Sequence, residues 1–241
     1  MKKENMRIGL LYQIGGVACI ILIAYSLITM LIMVFIGPPP ITIEECFSML
    51  KENRLNGLLR LDILTVFVMP LYYILFYIIY LALKDSDKEL LSISTILVFA
   101  GLTLFLATPS VFSYLYLSDE YAKATIEADK NQLIAAGQAM LASDMWHGTG
   151  AKIGGILMQS GALLISIIML KSNVFNKLTA YTGILTHGLD LAHIIIGFFL
   201  PTMGIVLMAI AGPLYLLWFP MIGVRLFKLK TEMNQGKGIS E

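Results

Sequence analysis

Long apolar stretches alternate with short polar connections along the whole chain. A bilayer crossing takes about 20 residues, and a charge at its centre costs about 2.5 to 3.5 kcal/mol on insertion scales. Stretches with almost no charge predict membrane spans at about residues 8–36, 63–83, 90–112, 151–170, 178–200 and 204–226. We therefore expect an all-α, polytopic membrane protein, with a six-transmembrane-helix bundle in a single membrane domain that covers residues 1–241.

Prolines are expected to divide or bend several of these stretches, because proline has no N–H for the helical ladder. Pro109 is expected to kink or end the third span, and Pro201 separates the fifth span from the sixth. The sixth span is expected to bend at Pro213 and Pro220. Since so few residues connect spans five and six, these two helices are predicted to be adjacent antiparallel neighbours.

The polar stretch between spans three and four predicts one further helix on the outer side. Asp119 suits a helix amino terminus, and Ile126, Leu133 and Met140 follow at seven-residue intervals. This pattern favours an amphipathic helix at about 119–143. Such a helix either lies flat on the membrane or caps the bundle.

Composition supports membrane insertion and excludes other classes. Apolar residues make up 58% of the 241 residues and charged residues 14%, against about 45 to 50% and about 25% in soluble domains. A soluble enzyme or a disordered chain is excluded, because long apolar runs would lie on the surface. The formal net charge of +1 excludes a nucleic-acid partner. The expected partners are the lipid bilayer and a lipid or small-molecule ligand.

The distribution of basic residues predicts the orientation of the chain. With a cytoplasmic amino terminus, 11 of the 17 Lys and Arg residues fall in cytoplasmic segments and the others in outer segments. The positive-inside rule therefore places both termini in the cytoplasm.

Several motifs, most of them in the polar connection between spans three and four, carry a resemblance to a known family. They are SYLYLSDEYAKAT at 113–125 and LIAAGQAMLA at 133–142, followed by His147-Gly148-Thr149. The likeness to the family continues through residues 165–172 and 179–185. The chain resembles an uncharacterised prokaryotic family of six-span integral membrane proteins, catalogued only as a domain of unknown function. The resemblance covers nearly the whole chain. It implies a fold and a prokaryotic cytoplasmic membrane, but no activity, ligand or catalytic residue.

Asp190 is the most informative single residue, because an ionisable group near the middle of a span is costly and usually faces the bundle interior. Three-residue steps place His187, Asp190 and His193 within about 120° of one helix face. One interpretation is that Asp190 accepts a hydrogen bond from a histidine or a neighbouring helix and fixes packing. Another is a proton or ion relay, since imidazole titrates near neutral pH.

A third interpretation adds Asp144 and His147 at the outer start of span four. With Asp190 and His193 they would surround a divalent metal such as Zn²⁺ in a metal-dependent intramembrane hydrolase. One metal does not readily take both His187 and His193, which are separated by about 9 Å of helical rise. The metal candidates of this alternative are therefore His147, Asp190 and His193. We otherwise expect no metal and no other cofactor.

Span two carries residues at alternating helical steps, namely Val66, Pro70, Tyr73, Tyr77 and Tyr80. These steps predict one seam along the helix. Packing is its expected role, and the alternative is a cavity lined by the three tyrosine hydroxyls, which would hold a lipid or a small amphiphile.

Small residues and tryptophans give two further expectations. Gly150 and Gly154 recur four residues apart at the start of span four, which favours close helix approach. Trp146 and Trp218 fall near span ends, where indole rings anchor a helix at the water–lipid boundary.

The sequence thus predicts a non-catalytic integral membrane protein with a polar centre at Asp190. Its role would be that of a sensor, a lipid- or small-ligand-binding component or a transporter. The alternative is the metal-dependent hydrolase.

Overall fold

The computed structural model describes residues 2–108 and 110–235, with side chains from Asn5 onward. Within those ranges every regular element is a helix, which confirms the all-α prediction. The helices are α1 (Lys2–Phe35), α2 (Ile43–Glu52), α3 (Arg54–Arg60), α4 (Ile63–Val68), α5 (Leu71–Leu83), α6 (Lys88–Leu106), α7 (Val111–Lys123), α8 (Glu127–Leu141), α9 (Thr149–Lys171), α10 (Lys177–Gly197) and α11 (Pro201–Asn234). Pro109, which was expected to kink or end span three, lies outside the described residues.

Four candidate spans of the described chain are long and apolar enough to cross a membrane, and the second of them takes in both α6 and α7. They are Asn5–Phe35, Lys88–Lys123, Thr149–Lys171 and Pro201–Asn234. Helix α5 is apolar but has only 13 residues. Helix α10 has 21 residues, and its Asp and His side chains lower its mean hydropathy. The chain is therefore a helical protein with four candidate membrane-spanning helices, and six spans stay a prediction.

The second predicted span, 63–83, is not one continuous helix. Helix α4 ends at Val68 and α5 begins at Leu71. The interruption falls at Met69 and Pro70, because Pro70 has no N–H to donate to a preceding carbonyl. Val66 and Tyr73 therefore lie on two separate helices, α4 and α5.

The single outer helix predicted at 119–143 is also wrong in its extent. Helix α7 already begins at Val111 and ends at Lys123, so Asp119 lies within it rather than at its start. The backbones of Ala124 and Ile126 are extended, and a separate helix, α8, follows. Glu127 and Asp129 lie in the first turn of α8, where acidic side chains stabilise a helix amino terminus.

The chain forms two compact units. The first consists of Met1–Ser26, Pro70–Thr103 and Gly154–Glu241, and the second of Leu27–Met69 and Leu104–Ile153.

Glycines bring the backbones of α6 and α9 into contact in the first unit. A Cβ atom on Gly101 would lie 2.4 Å from the carbonyl oxygen of Gly154 and 2.4 Å from the backbone nitrogen of Met158. A Cβ atom on Gly161 would lie 2.4 Å from the carbonyl oxygen of Ser94. The close helix approach expected near Gly154 is therefore present, and α6 is the partner.

Helices α10 and α11 pack against each other in an antiparallel arrangement. A Cβ atom on Gly204 would lie 2.8 Å from the Cα atom of Gly197, close to the connection between the two helices. Farther along, a Cβ atom on Gly183 would lie 2.6 Å from Nε1 of Trp218. The expectation that these two helices are adjacent antiparallel neighbours is confirmed.

In the second unit, a set of hydrogen bonds fixes the amino terminus of α2. The Thr42 hydroxyl accepts a hydrogen bond from the Glu45 backbone N–H at 3.1 Å and caps the helix. The Glu45 carboxylate accepts from the Ile41 N–H at 3.0 Å and from Arg60 at 2.6 Å. Both bonds favour the charged form, so they lower the pKa of Glu45. Arg60 also donates to the carbonyl oxygen of Pro38 at 2.7 Å.

The contact between α6 and α9 gives a matched stability test. We expect Gly101→Ala to destabilise the protein by about 1 to 3 kcal/mol, because its methyl group overlaps the backbone of α9. A Cβ atom on Gly212 in α11 would have no neighbour within 4 Å, so Gly212→Ala should be neutral or slightly stabilising. Thermal unfolding in detergent checks both variants. Equal melting temperatures for the two variants would contradict the close approach.

Candidate functional site

Three helices of the first unit bring polar side chains together at Asp190. Asp190 and His187 lie on α10, Gln159 on α9 and Tyr215 on α11. His187 and Gln159 are almost fully buried, with 1% and 4% of their surface exposed. A cluster of this kind in an apolar helical region is stable only if its members satisfy one another.

One oxygen of the Asp190 carboxylate accepts two hydrogen bonds from neighbouring helices. Gln159 donates from Nε2 to Oδ2 at 2.5 Å, and the Tyr215 hydroxyl donates to the same oxygen at 2.8 Å. Gln159 Nε2 also lies 3.0 Å from the Tyr215 hydroxyl. The hydrogen bond that Asp190 was expected to accept is therefore present, and its donors come from α9 and α11. Donors from α9 and α11 thus meet at one oxygen of a residue on α10, so this oxygen ties three helices together.

His187 extends the network through Gln159. Its Nδ1 lies 2.8 Å from Gln159 Oε1. Because Gln159 uses its amide nitrogen toward Asp190, its oxygen is the atom that faces His187, and Nδ1 must carry the proton. In a neutral imidazole Nε2 is then an acceptor. It is buried and has no hydrogen-bond partner among the described residues.

Trp218 packs inside the first unit, so its indole is not exposed to anchor the helix at a water–lipid boundary as expected. It is fully buried, and its ring centroid lies 4.7 Å from that of His187 in an edge-on arrangement. Phe76 and Phe219 complete its surroundings at 6.1 and 5.5 Å. Helix α11 continues to Asn234, which places Trp218 near the middle of the helix. Trp146, by contrast, is 42% exposed.

The remaining oxygen of Asp190 lies toward His193. His193 Nε2 is 3.9 Å from Asp190 Oδ1, and the two side chains are 20% and 19% exposed. This edge of the cluster is therefore accessible, whereas His187 on the other side is enclosed.

Asp144 and His147 lie in the second unit and shape the loop before α9. Asp144 Oδ1 accepts from the backbone N–H groups of Trp146 and His147 at 2.9 and 3.0 Å, and lies 3.0 Å from Nδ1 of His147. Tyr114 donates to the other carboxylate oxygen at 3.4 Å. Asp144 is buried, whereas the His147 side chain is 62% exposed. These bonds give Asp144 a structural role at the start of α9.

The metal alternative gains no support from this arrangement. In residues 2–108 and 110–235, no three His, Cys, Asp or Glu side chains form a group that could hold a metal ion.

The three tyrosines proposed to line a cavity lie away from the buried face of α5. Tyr73 pairs its hydroxyl with Thr103 at 2.6 Å, Tyr77 is 47% exposed, and Tyr80 is half-buried. Tyr72 and Phe76 are the aromatic residues that α5 buries.

Gln159 and Tyr215 were not singled out from the sequence. Both lie within predicted spans. A side-chain amide inside a span is a usable signal, because it needs a partner on another helix. Tyr215 gives a weaker signal, since tyrosine is common in apolar helices for packing alone.

Comparison of the chain with protein-family models, curated proteins and solved structures finds no match.

The network predicts one tautomer of His187. We expect a neutral imidazole with its proton on Nδ1, because Gln159 Oε1 can only accept. Nitrogen-15 NMR of histidine-labelled protein in detergent checks this, with the signals of His187 assigned by their loss in His187→Gln. A proton on Nε2 together with a bare Nδ1 would contradict the hydrogen-bond order.

Proposed function

We propose that the protein is a six-span, non-catalytic integral membrane protein of a prokaryotic cytoplasmic membrane, and that it binds a small amphiphile at Asp190 and His193. The observation that carries this proposal is the asymmetry of the Asp190 carboxylate. Oδ2 is used by Gln159 and Tyr215, while Oδ1 and His193 share an accessible edge. Membership in the six-span family of unknown function belongs to the same proposal.

The chemistry of that edge favours a ligand with a hydrogen-bond donor and an apolar body. A carboxylate oxygen accepts from a hydroxyl or an amine, and imidazole can donate or accept. The same helix also exposes apolar side chains, with Leu185 51% exposed and Ile195 43% exposed. A site with a few polar groups among apolar surface is typical of small-molecule binding.

Helix placement supports six spans. Helical segments occupy each of the six predicted positions. Four reach the length and hydropathy of a span, and α10 carries its polar side chains toward α9 and α11. Such inward placement lets a polar helix cross a bilayer.

Cysteine labelling tests the number of spans and the orientation. We expect Asn131→Cys in α8 to react with a membrane-impermeant maleimide on intact cells, and Asp85→Cys, between α5 and α6, to react only after lysis. Both sites are exposed. Native Cys19 and Cys46 are buried, and burial raises the pKa of Cys46 to about 12, so this thiol is unreactive near pH 7. Labelling of both variants on intact cells would contradict the crossing between the two sites, and labelling of Asp85→Cys alone would contradict the orientation.

A binding measurement tests the ligand site. The probe is monoolein, which joins hydroxyl groups to one acyl chain. We expect Asp190→Asn to weaken binding of radiolabelled monoolein by about tenfold, since a hydrogen bond to a charged group is lost. His193→Gln should weaken it less, because glutamine keeps both a donor and an acceptor.

Tyr181→Phe is the matched control, because Tyr181 lies on α10 and is 59% exposed. All variants are first compared by thermal unfolding. Unchanged monoolein binding in a well-folded Asp190→Asn variant would contradict the proposed site.

A further inference from the structure

A separate cavity of about 610 Å³ lies in the first unit, beside the start of α10. The connection between α9 and α10 forms one wall with the first turn of α10, and α11 forms the other. The lining residues that matter for recognition are Asn176, Thr179, Met221, Val224, Arg225 and Lys228. Asp190 and His193 do not line it, so this cavity is distinct from the site proposed above.

The polar part of the cavity wall has more hydrogen-bond donors than acceptors. Lys228 is exposed and makes no ion pair with any described residue. Arg225 donates from Nε to the carbonyl oxygen of Val174 and from Nη1 to Glu232 at 2.7 Å. These two bonds do not use Nη2, which remains available as a donor. Asn176 uses its oxygen to accept from the Thr179 N–H and hydroxyl, so its NH₂ group remains as a donor.

This donor set matches an anion with several oxygens. A guanidinium held in place by two bonds presents its remaining N–H groups in a fixed direction, which suits phosphate. Lys228 adds a positive charge three residues farther along α11. Glu232 offsets only one of these two charges, so the cavity wall is positive.

The rest of the wall is apolar. Pro220, Met221 and Val224 precede Arg225 on α11, and Val224 is 55% exposed. Apolar and cationic side chains thus follow each other along one helix, at the predicted cytoplasmic end of the sixth span. This order matches a lipid, whose acyl chains and headgroup meet a helix in the same sequence.

We propose that this cavity binds the phosphate of an anionic phospholipid headgroup, with Arg225 and Lys228 contacting the phosphate and the acyl chains lying along Val224 and Met221. Free phosphate shares the same recognition chemistry. The lipid differs from free phosphate in its acyl chains, so contacts with Val224 and Met221 distinguish the two ligands.

Native mass spectrometry of the full chain in detergent tests the proposal with two lipids. Phosphatidylglycerol carries a net negative charge, whereas the choline group of phosphatidylcholine offsets its phosphate. We expect phosphatidylglycerol to bind wild type more tightly, and Lys228→Gln to weaken that binding about fivefold. Lys230→Gln removes the same charge from α11 at a residue that does not line the cavity, and should leave the affinity unchanged.

Inorganic phosphate provides the second arm of the experiment. We expect phosphate at about 10 mM not to displace phosphatidylglycerol. The lipid proposal would be overturned, and the site assigned to the free ion, by three results together: phosphate displaces the lipid, phosphate binding depends on Lys228, and the protein shows no preference between the two lipids. Equal effects of Lys228→Gln and Lys230→Gln would overturn it as well. Arg225→Lys keeps the charge but not the forked geometry, and should also weaken phosphatidylglycerol binding.

Discussion

The hydrogen bonds to Oδ2 of Asp190 are the interaction on which the arrangement of α9, α10 and α11 depends. A carboxylate within an apolar helical region is expensive unless donors surround it. Gln159 and Tyr215 supply those donors from two different helices. Loss of either donor would remove one of the two hydrogen bonds to this oxygen, so the positions of the three helices are coupled through one oxygen atom.

Close packing makes this network geometrically feasible. Gly183 lies against Trp218 and Ser166, where a Cβ atom would come within 2.6 Å of the indole nitrogen and 2.5 Å of the serine hydroxyl. The absence of a side chain at Gly183 lets the indole lie edge-on against His187. His187 in turn holds the amide of Gln159 in the orientation that donates to Asp190. Packing and hydrogen bonding therefore form one connected system.

The sequence predicted much of the fold because charge and length decide where apolar helices lie. It also singled out Asp190, since a carboxylate within a span is rare. It did not predict the partners of Asp190, because Gln159 and Tyr215 are recognised as donors only once the neighbouring helices are known. Trp218 was misplaced for a similar reason: an indole near a predicted span end and an indole inside a bundle have the same local sequence signal.

Local breaks were the other source of error. The interruption at Pro70 follows from a missing N–H, yet the apolar pattern continues through it. The break between α7 and α8 at 124–126 is followed by Glu127 and Asp129, which favour a new helix start. The seven-residue apolar repeat includes Ile126, which lies in this break, and so gave no sign of it. At Pro70 and at 124–126, the local residues interrupt the helix although the apolar pattern continues.

A double-mutant cycle of Asp190→Leu, which removes the acceptor, and Tyr215→Phe, with unfolding followed in detergent, tests the central interaction most directly. Direct hydrogen bonding predicts a coupling energy of about 1 to 3 kcal/mol between the two substitutions. Additive effects, with no coupling beyond about 0.3 kcal/mol, would show that Tyr215 does not support the carboxylate and would contradict this account.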